Sequence, residues 1–245
     1  MPVNLPPSIS IVVPTYQRPD SLTRLLHSLT RLKYPTTRFE VMLVDDGGGL
    51  SFGPIRERFG PALRLECLNQ SNSGPGSARN VGAERSEGEI LAFTDDDCEV
   101  DSLWLEELSK GFETGAEPLC GGRTVNSLPH NPYASASQLL VDFLYEHYNP
   151  ERQWGAFFPT NNVALPRTRF LALEALILLS DLVKTASFAI VGPWPGAGFV
   201  PSPGRWSTII RPWISVLSST AIGVMAREPV IIAGKPAPMV PGRAV

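Results

Sequence analysis

Along the first two-thirds of the chain, apolar and polar positions switch between a two-residue and a helical period, and the switches predict an ordered series of strands and helices. The β-branched run Ile9-Ser10-Ile11-Val12-Val13, stopped by Pro14, predicts a first, central strand. Leu22, Leu25, Leu26, Leu29 and Leu32 then fall on one apolar helical stripe. Phe39 to Val44 predicts a second strand, running into Asp45-Asp46-Gly47-Gly48-Gly49, where glycines permit a tight turn. Leu63 to Leu68 predicts a third strand, Gly76 to Arg85 a short helix and Ile90 to Thr94 a fourth strand, with a further helix over Asp101 to Leu108. Strands spaced by helical segments imply an α/β domain whose mostly parallel sheet carries helices on both faces. In such a sheet, ligands collect where the strands end in loops.

Composition narrows the picture. At 245 residues and 43% hydrophobic, the chain is long enough for one large domain with a sizeable core. A net charge of -3 and scattered Lys and Arg give no basic stripe, so no nucleic-acid partner is expected. Cys67, Cys98 and Cys120 are odd in number and lack paired metal-ligand spacing, which points to a reducing compartment and packing roles rather than to zinc. Met1 to Pro7 has no charged region leading into an apolar core, so a secretory signal is not expected. Pro212 to Ala226 is too short and too rich in Ser and Gly to be a clear membrane span. The expected location is cytoplasmic, with peripheral attachment to the inner face of a membrane left open.

The candidate chemistry sits at strand ends. Glu89 to Cys98 is an apolar strand that runs into Asp95-Asp96-Asp97, and carboxylates at the carboxyl edge of a strand suit a hard divalent cation held against a phosphorylated ligand. In an extended conformation Asp95 and Asp97 point the same way and could face one metal ion, while Asp96 points elsewhere. The plainer alternative is an acidic turn capping the helix from Asp101. Pro14-Thr15-Tyr16 and Asp45-Asp46 end two other strands, and parallel strands bring all three ends to one edge. Gly74-Pro75-Gly76-Ser77-Ala78 lacks the Gly-Lys-Ser/Thr ending of a phosphate loop and reads instead as a tight turn into a helix. Pro14-Thr15-Tyr16-Gln17-Arg18 lacks the glycine-rich loop expected of a nucleotidyltransferase.

Taken in order and spacing, Val12-Val13-Pro14-Thr15-Tyr16, Val44-Asp45-Asp46-Gly47, Gly74-Pro75-Gly76-Ser77-Ala78-Arg79-Asn80-Val81-Gly82 and Phe93-Thr94-Asp95-Asp96-Asp97 resemble the family 2 glycosyltransferases of the GT-A, Rossmann-like fold, over residues 8 to 173. The resemblance implies that Pro14, Thr15, Tyr16 and Asp45 hold the uracil and ribose of a nucleotide sugar, with Arg79 near the nucleotide. It implies that Asp97 binds Mn2+ or Mg2+ bridging the diphosphate; Asp95 is its expected companion on the metal, and Asp96 is placed with the donor. The donor would be a UDP or a GDP/dTDP sugar, the acceptor hydroxyl would belong to an undetermined glycan, lipid or protein, and transfer would be inverting. Each residue has a plainer alternative: Asp45-Asp46-Gly47 as a turn, Arg79 as a surface cation, Tyr16 as a core aromatic. Phe157 to Arg167 resembles the stretch before the family's acceptor-side helix, or else is an edge strand with a turn at Asn161-Asn162.

The family pattern then stops. An inverting transferase needs a general base for the acceptor hydroxyl, supplied in the family by the Asp of a Glu-Asp pair that follows a Gly-Gly-Phe-Asp segment. Here Glu174-Ala175-Leu176-Ile177 follows Leu173, and from Glu174 to Val245 there is no Asn, Gln, Tyr, His or Cys. Codon arithmetic supplies a cause. If one base is missing at Leu173, Glu174 to Thr185 can be reread as Gly-Gly-Phe-Asp-Pro-Ala-Phe-Arg-Pro-Ser-Glu-Asp, and the residues through Gly192 as Arg-Glu-Phe-Cys-Asp-Arg-Trp. The same shift around Trp206 to Pro212 permits Val-Val-Tyr-His-His-Pro-Ala. A frameshift near Leu173 is therefore expected, leaving residues 8 to 173 as the nucleotide-sugar half and 174 to 245 as an irregular, poorly packed tail with local helices at most at Ala175 to Ala189 and Ser215 to Ala226. No catalytic base is intact: Thr185 occupies its position, a hydroxyl without useful basicity near neutral pH. A non-catalytic nucleotide-sugar binding remnant is the alternative to an enzyme.

Overall fold

The computed structural model of the chain describes residues 5–112, 119–148, 157–172, 188–190 and 211–212. The β-branched run forms β1 (Ile9–Thr15), buried at every position, and the stripe of leucines forms α1 (Pro19–Leu29), with Pro19 at its first turn. β2 (Phe39–Asp45), likewise buried throughout, is followed by α2 (Phe52–Phe59), β3 (Leu65–Asn69), α3 (Pro75–Arg85) and β4 (Ile90–Phe93). Next come β5 (Cys98–Glu99), α4 (Trp104–Lys110), β6 (Cys120–Gly121), α5 (Pro132–Tyr148), β7 (Phe157–Pro159), β8 (Val163–Pro166) and α6 (Arg167–Ala172).

The central sheet has six strands in the order β3-β2-β1-β4-β8-β6. β3, β2, β1 and β4 are mutually parallel, so the mostly parallel sheet expected from the pattern is present, whereas β8 runs antiparallel to both β4 and β6. A strand in a sheet covered by helices on both faces is mainly apolar on both. Ile9, Ile11 and Val13 accordingly face α1, α2 and α4 through Leu22, Leu25, Leu26, Phe59, Trp104 and Leu105. On the other face Val12 joins Met42, Leu91, Phe93, Val163 and Leu165 with Ala83 of α3.

Several boundaries shift. The third strand begins at Leu65 rather than Leu63, and the helix expected from Asp101 begins at Trp104, because Asp101 accepts a bond from the Leu103 amide at 2.9 Å and stays in the turn ahead of the helix. Val163 to Pro166 is not an edge strand: β6 lies outside it. α5 starts where Asn131 Oδ1 accepts the amides of Tyr133 and Ala134 at 3.0 and 3.1 Å.

In the region expected to be an irregular tail, β9 (Phe188–Ile190) pairs antiparallel with β7 and β10 (Arg211–Pro212) with β5. The helix allowed at Ala175 to Ala189 is replaced by strand at its last two residues, and the other positions from 174 to 245, including Thr185, the rest of that helix, the one at Ser215 to Ala226 and most of the stretch weighed as a membrane span, lie outside the described residues. Among the described residues, no helix is long and apolar enough to cross a membrane. The three cysteines are free thiols, and burial pushes the Cys120 thiol up to about 12 and Cys98 well above its ordinary value, which suits packing.

Candidate functional site

Register explains why the strand-end loops meet. Thr15 pairs with Asp45, and Val12 with Phe93, so the residues just past β4 lie level with the end of β1. The loops are then laced together. The Asp46 amide donates to the Thr15 carbonyl at 2.9 Å, and the Gln70 amide to the Asp45 carbonyl at 3.0 Å. Asp46 is buried, and its carboxylate accepts Gln70 Nε2 at 2.6 Å, the Ser73 amide at 2.8 Å and the Gly74 amide at 2.9 Å, fixing the turn that enters α3. Gly47 has a φ of 80°, and a Cβ there would lie 2.8 Å from the Asn72 amide nitrogen, so that position needs glycine on both counts.

Asp45, also buried, turns into its own loop: Oδ1 accepts the Gly48 amide at 3.0 Å and Oδ2 the Leu50 amide at 2.9 Å. The carboxylate expected to hold the nucleoside thus also shapes the turn. Pro14 is the sixth residue of β1 and is buried, Thr15 is buried, and Tyr16, the first residue past the strand, is exposed rather than a core aromatic. Gln17 has a φ of 54°, in the left-handed region, immediately before Arg18.

The acidic run is not extended. The Cys98 amide donates to the Asp95 carbonyl at 3.1 Å and closes a turn with Asp96 and Asp97 at its corner, so alternation along a strand does not set their directions. Each carboxylate has its own partner. Asp95 pairs with Arg79 of α3, which is therefore not a free surface cation. Asp96, buried, accepts Thr15 Oγ1 at 2.8 Å. Asp97 accepts Arg18 Nη1 at 2.9 Å, and the same nitrogen lies 3.5 Å from Asp96 Oδ1. Burial, followed by the charges of Asp95 and Asp96, pushes Asp97 up to about 7 against the pull of Arg18. Burial likewise raises Asp96, opposed by the Thr15 hydroxyl and by Arg18.

This donor set suits a hard cation that takes most of its ligands from elsewhere. Among the described residues, no group of three or more His, Cys, Asp or Glu side chains converges as a metal cage. Mg2+-like ions are characteristically held by one or two protein carboxylates plus substrate phosphates and water. Of the three crowded carboxylates, Asp96 and Asp97 are both raised by burial, and a cation among them would favour their charged, oxygen-donating form.

β8 brings a further segment to this edge. Val163 pairs with Phe93, so Asn161 and Asn162 lie beside the acidic turn at the carboxyl end of β4. Asn162 is fully buried and accepts Trp104 Nε1 at 3.0 Å, while Asn161 Oδ1 is buried without a hydrogen-bond partner. The Nε of Arg79 is buried and unpartnered as well. The sequence assigned no role to three members of this arrangement. Arg18 had a readable signal, a cation directly after the β1 loop; Asp46 was masked by its pairing with Asp45 in a turn motif; Trp104 had none, since its partner lies 58 positions away.

Fold and edge together define a GT-A architecture: a helix-flanked α/β sheet with acidic and basic side chains at the carboxyl ends of its parallel strands. A model of Glycosyl transferase family 2 matches residues 10–173, more than half of the chain, and the chain belongs to that family. Glycosyltransferase AglE of Haloferax volcanii is 34% identical over 132 residues, covering 53% of this chain and 43% of AglE. Poly(ribitol-phosphate) beta-N-acetylglucosaminyltransferase TarS of Staphylococcus aureus is 36% identical over 100 residues, covering 40% of this chain and 18% of TarS. The chain therefore spans less than half the length of these relatives. In fold, it resembles the mannosyltransferase PcManGT of Pyrobaculum calidifontis, solved in complex with GDP-Man and Mn2+, with a TM-score of 0.54 at 18% identity over 83% of this chain and 62% of that one.

Proposed function

We propose that the edge formed by the ends of β1, β2 and β4 binds a nucleoside diphosphate sugar of the UDP or GDP/dTDP kind together with Mn2+ or Mg2+, and that the enzyme transfers the sugar, with inversion, to an acceptor hydroxyl on a glycan, lipid or protein. One observation carries this reading: three carboxylates and two guanidiniums, from three separate segments, meet at the carboxyl edge of the parallel strands. Membership of the family, with glycosyltransferases as relatives, supports it.

Roles follow from the chemistry of each group. The exposed ring of Tyr16 offers an apolar face to the nucleobase, beside Pro14 and Thr15. Asp45 holds the loop against which the ribose would lie, and its carboxylate oxygens retain capacity for a ribose hydroxyl beyond the single amide each accepts. Asp97 and Asp95 would hold the cation, with Asp96 fixing their turn to the end of β1. When bound, the cation offsets the negative charge that grows on the nucleoside diphosphate as the anomeric bond breaks. Arg79, whose Nε is unpartnered, would lie beside the phosphates.

A second reading is favoured by one specific feature: with Thr185 where the family's Asp belongs, the chain has no base and would bind donor without turning it over. Calorimetric titration of the full chain with UDP-, GDP- and dTDP-sugars, with and without Mn2+, tests both. Metal-dependent binding to at least one donor, weakened more than tenfold by Asp97→Ala, is expected. Absence of binding to all of them would sink the proposal. Release of nucleoside diphosphate in the same mixtures favours the enzyme, and binding without release favours the remnant.

A further inference from the structure

We propose that Arg18 is an exchangeable counter-cation of the acidic turn, holding the metal position in the donor-free protein and turning onto the donor's diphosphate when the metal enters. The inference rests on the donor and metal site proposed above. Arg18 Nη1 lies 2.9 Å from Asp97 Oδ2 and 3.5 Å from Asp96 Oδ1, so one guanidinium spans the carboxylate assigned to the metal and its buried neighbour. A guanidinium and a divalent cation on the same carboxylate repel one another, and the more highly charged, directly coordinated ion holds the oxygen. Arg18 is built to give way. Its side chain is 48% exposed, against 21% for Asp97 and 6% for Asp96, so it covers the carboxylates from the solvent side and leaves without opening the core.

The chain around it holds the position but not the side chain. Gln17, in the left-handed conformation, reverses the backbone just before Arg18, and Arg18 is the N-cap of α1, with no side-chain bond of its own to the helix. Once displaced from Asp97, the guanidinium remains on the rim of the site, where a bidentate pair with a phosphate replaces the pair it lost. Arg79 contrasts with it. Its side chain is only 13% exposed, so although its partner Asp95 is also assigned to the metal, burial keeps its guanidinium beside the site instead of releasing it to the rim.

The exchange predicts effects of opposite sign from one substitution, which a purely structural role does not give. Mn2+ binding to the full chain is followed by the loss of the free-ion electron paramagnetic resonance signal, first with Mn2+ alone and then with UDP or GDP titrated at saturating Mn2+. Arg18→Gln is expected to tighten Mn2+ alone about fivefold to tenfold, the order of one partly screened charge removed, and to weaken the nucleoside diphosphate by about tenfold. Arg18→Lys, which keeps the charge and loses the fork, is expected to leave Mn2+ alone near the original affinity and still weaken the diphosphate. Unchanged or weakened binding of Mn2+ alone to Arg18→Gln overturns the exchange, and so does unchanged diphosphate binding to both variants. Asp97→Asn separates this failure from that of the underlying site: if Asp97→Asn abolishes Mn2+ binding while the Arg18 variants behave as the original, only the exchange falls; if Asp97→Asn changes nothing, the site falls too.

Discussion

Asp46 and Asp45 are adjacent and both buried, yet they do different jobs, and a substitution separates them. Asp46 accepts from Gln70, Ser73 and Gly74 and so determines where α3, and with it Arg79, begins. Asp46→Ala leaves the amides of Ser73 and Gly74 without an acceptor in a part-buried turn, at a cost of about 1–3 kcal/mol for each one that water does not reach. The expected result is a lower urea midpoint together with faster hydrogen exchange at Ser73 and Gly74. Unchanged exchange there would show that the turn is held by something else. Residue types alone made the carboxylates at the strand ends legible, but not their partners. The extended D-x-D reading failed because a single backbone bond, from the Cys98 amide to the Asp95 carbonyl, closes a turn that no alternation pattern announces.

At the scale of elements, α3 matters because it is pressed onto the strands that carry the site. A Cβ at Gly82 would lie 2.5 Å from Val12 Cγ1 and 3.3 Å from Val44 Cγ2, so this helix approaches β1 and β2 as closely as a glycine allows. Gly82→Leu is expected to push α3 outward, cost about 1–3 kcal/mol by overpacking, and withdraw Arg79 from Asp95, one helical turn away. Thermal unfolding and nucleoside diphosphate affinity should fall together. Glu40→Ala is the counterpart at the opposite edge of the sheet. Glu40 accepts Ser10 Oγ at 2.6 Å and the Glu87 amide at 2.7 Å near the amino ends of β1 and β2. Its loss should lower the melting temperature by a comparable amount and leave the nucleotide affinity unchanged; a change in affinity would mean that the two edges are coupled through the strands. The strands up to β4 and α1 were legible because each carries an apolar run or stripe, and α3 from the glycines that open it, whereas α2, which buries only Phe59, was not anticipated. Nor was the later sheet. β6 has two residues, too few to show a period, and β8 reverses direction, which its apolar run could not reveal. α5 escaped notice because Leu139, Leu140 and Phe143 lie on an exposed face, and its stripe does not mark a core.

For the whole molecule, the question is whether one reading frame runs through the gene. The family match ends at residue 173, and the next residue begins a stretch without Asn, Gln, Tyr, His or Cys. Moving the frame by one base at Leu173 permits Gly-Gly-Phe-Asp and then Glu-Asp with suitable codon choices, and outcomes such as Phe, Asp and Trp leave little freedom in that choice. Physical chemistry makes the consequence large. Residues 5–112 already bring the carboxylates and guanidiniums together, so donor binding should survive the shift, whereas proton removal from the acceptor should not. A positioned general base contributes about 10²- to 10⁴-fold to rate. Sequencing across the codons for Phe170 to Thr185 is expected to find the additional base, and the chain expressed from the corrected frame is expected to release nucleoside diphosphate at least about 10²-fold faster than the present chain at similar donor affinity. An unaltered codon run, with equal turnover from both constructions of the gene, would place the base elsewhere and remove the frameshift from the account. Equal donor affinity combined with unequal turnover would assign binding to the sheet edge and proton transfer to the segment beyond residue 173.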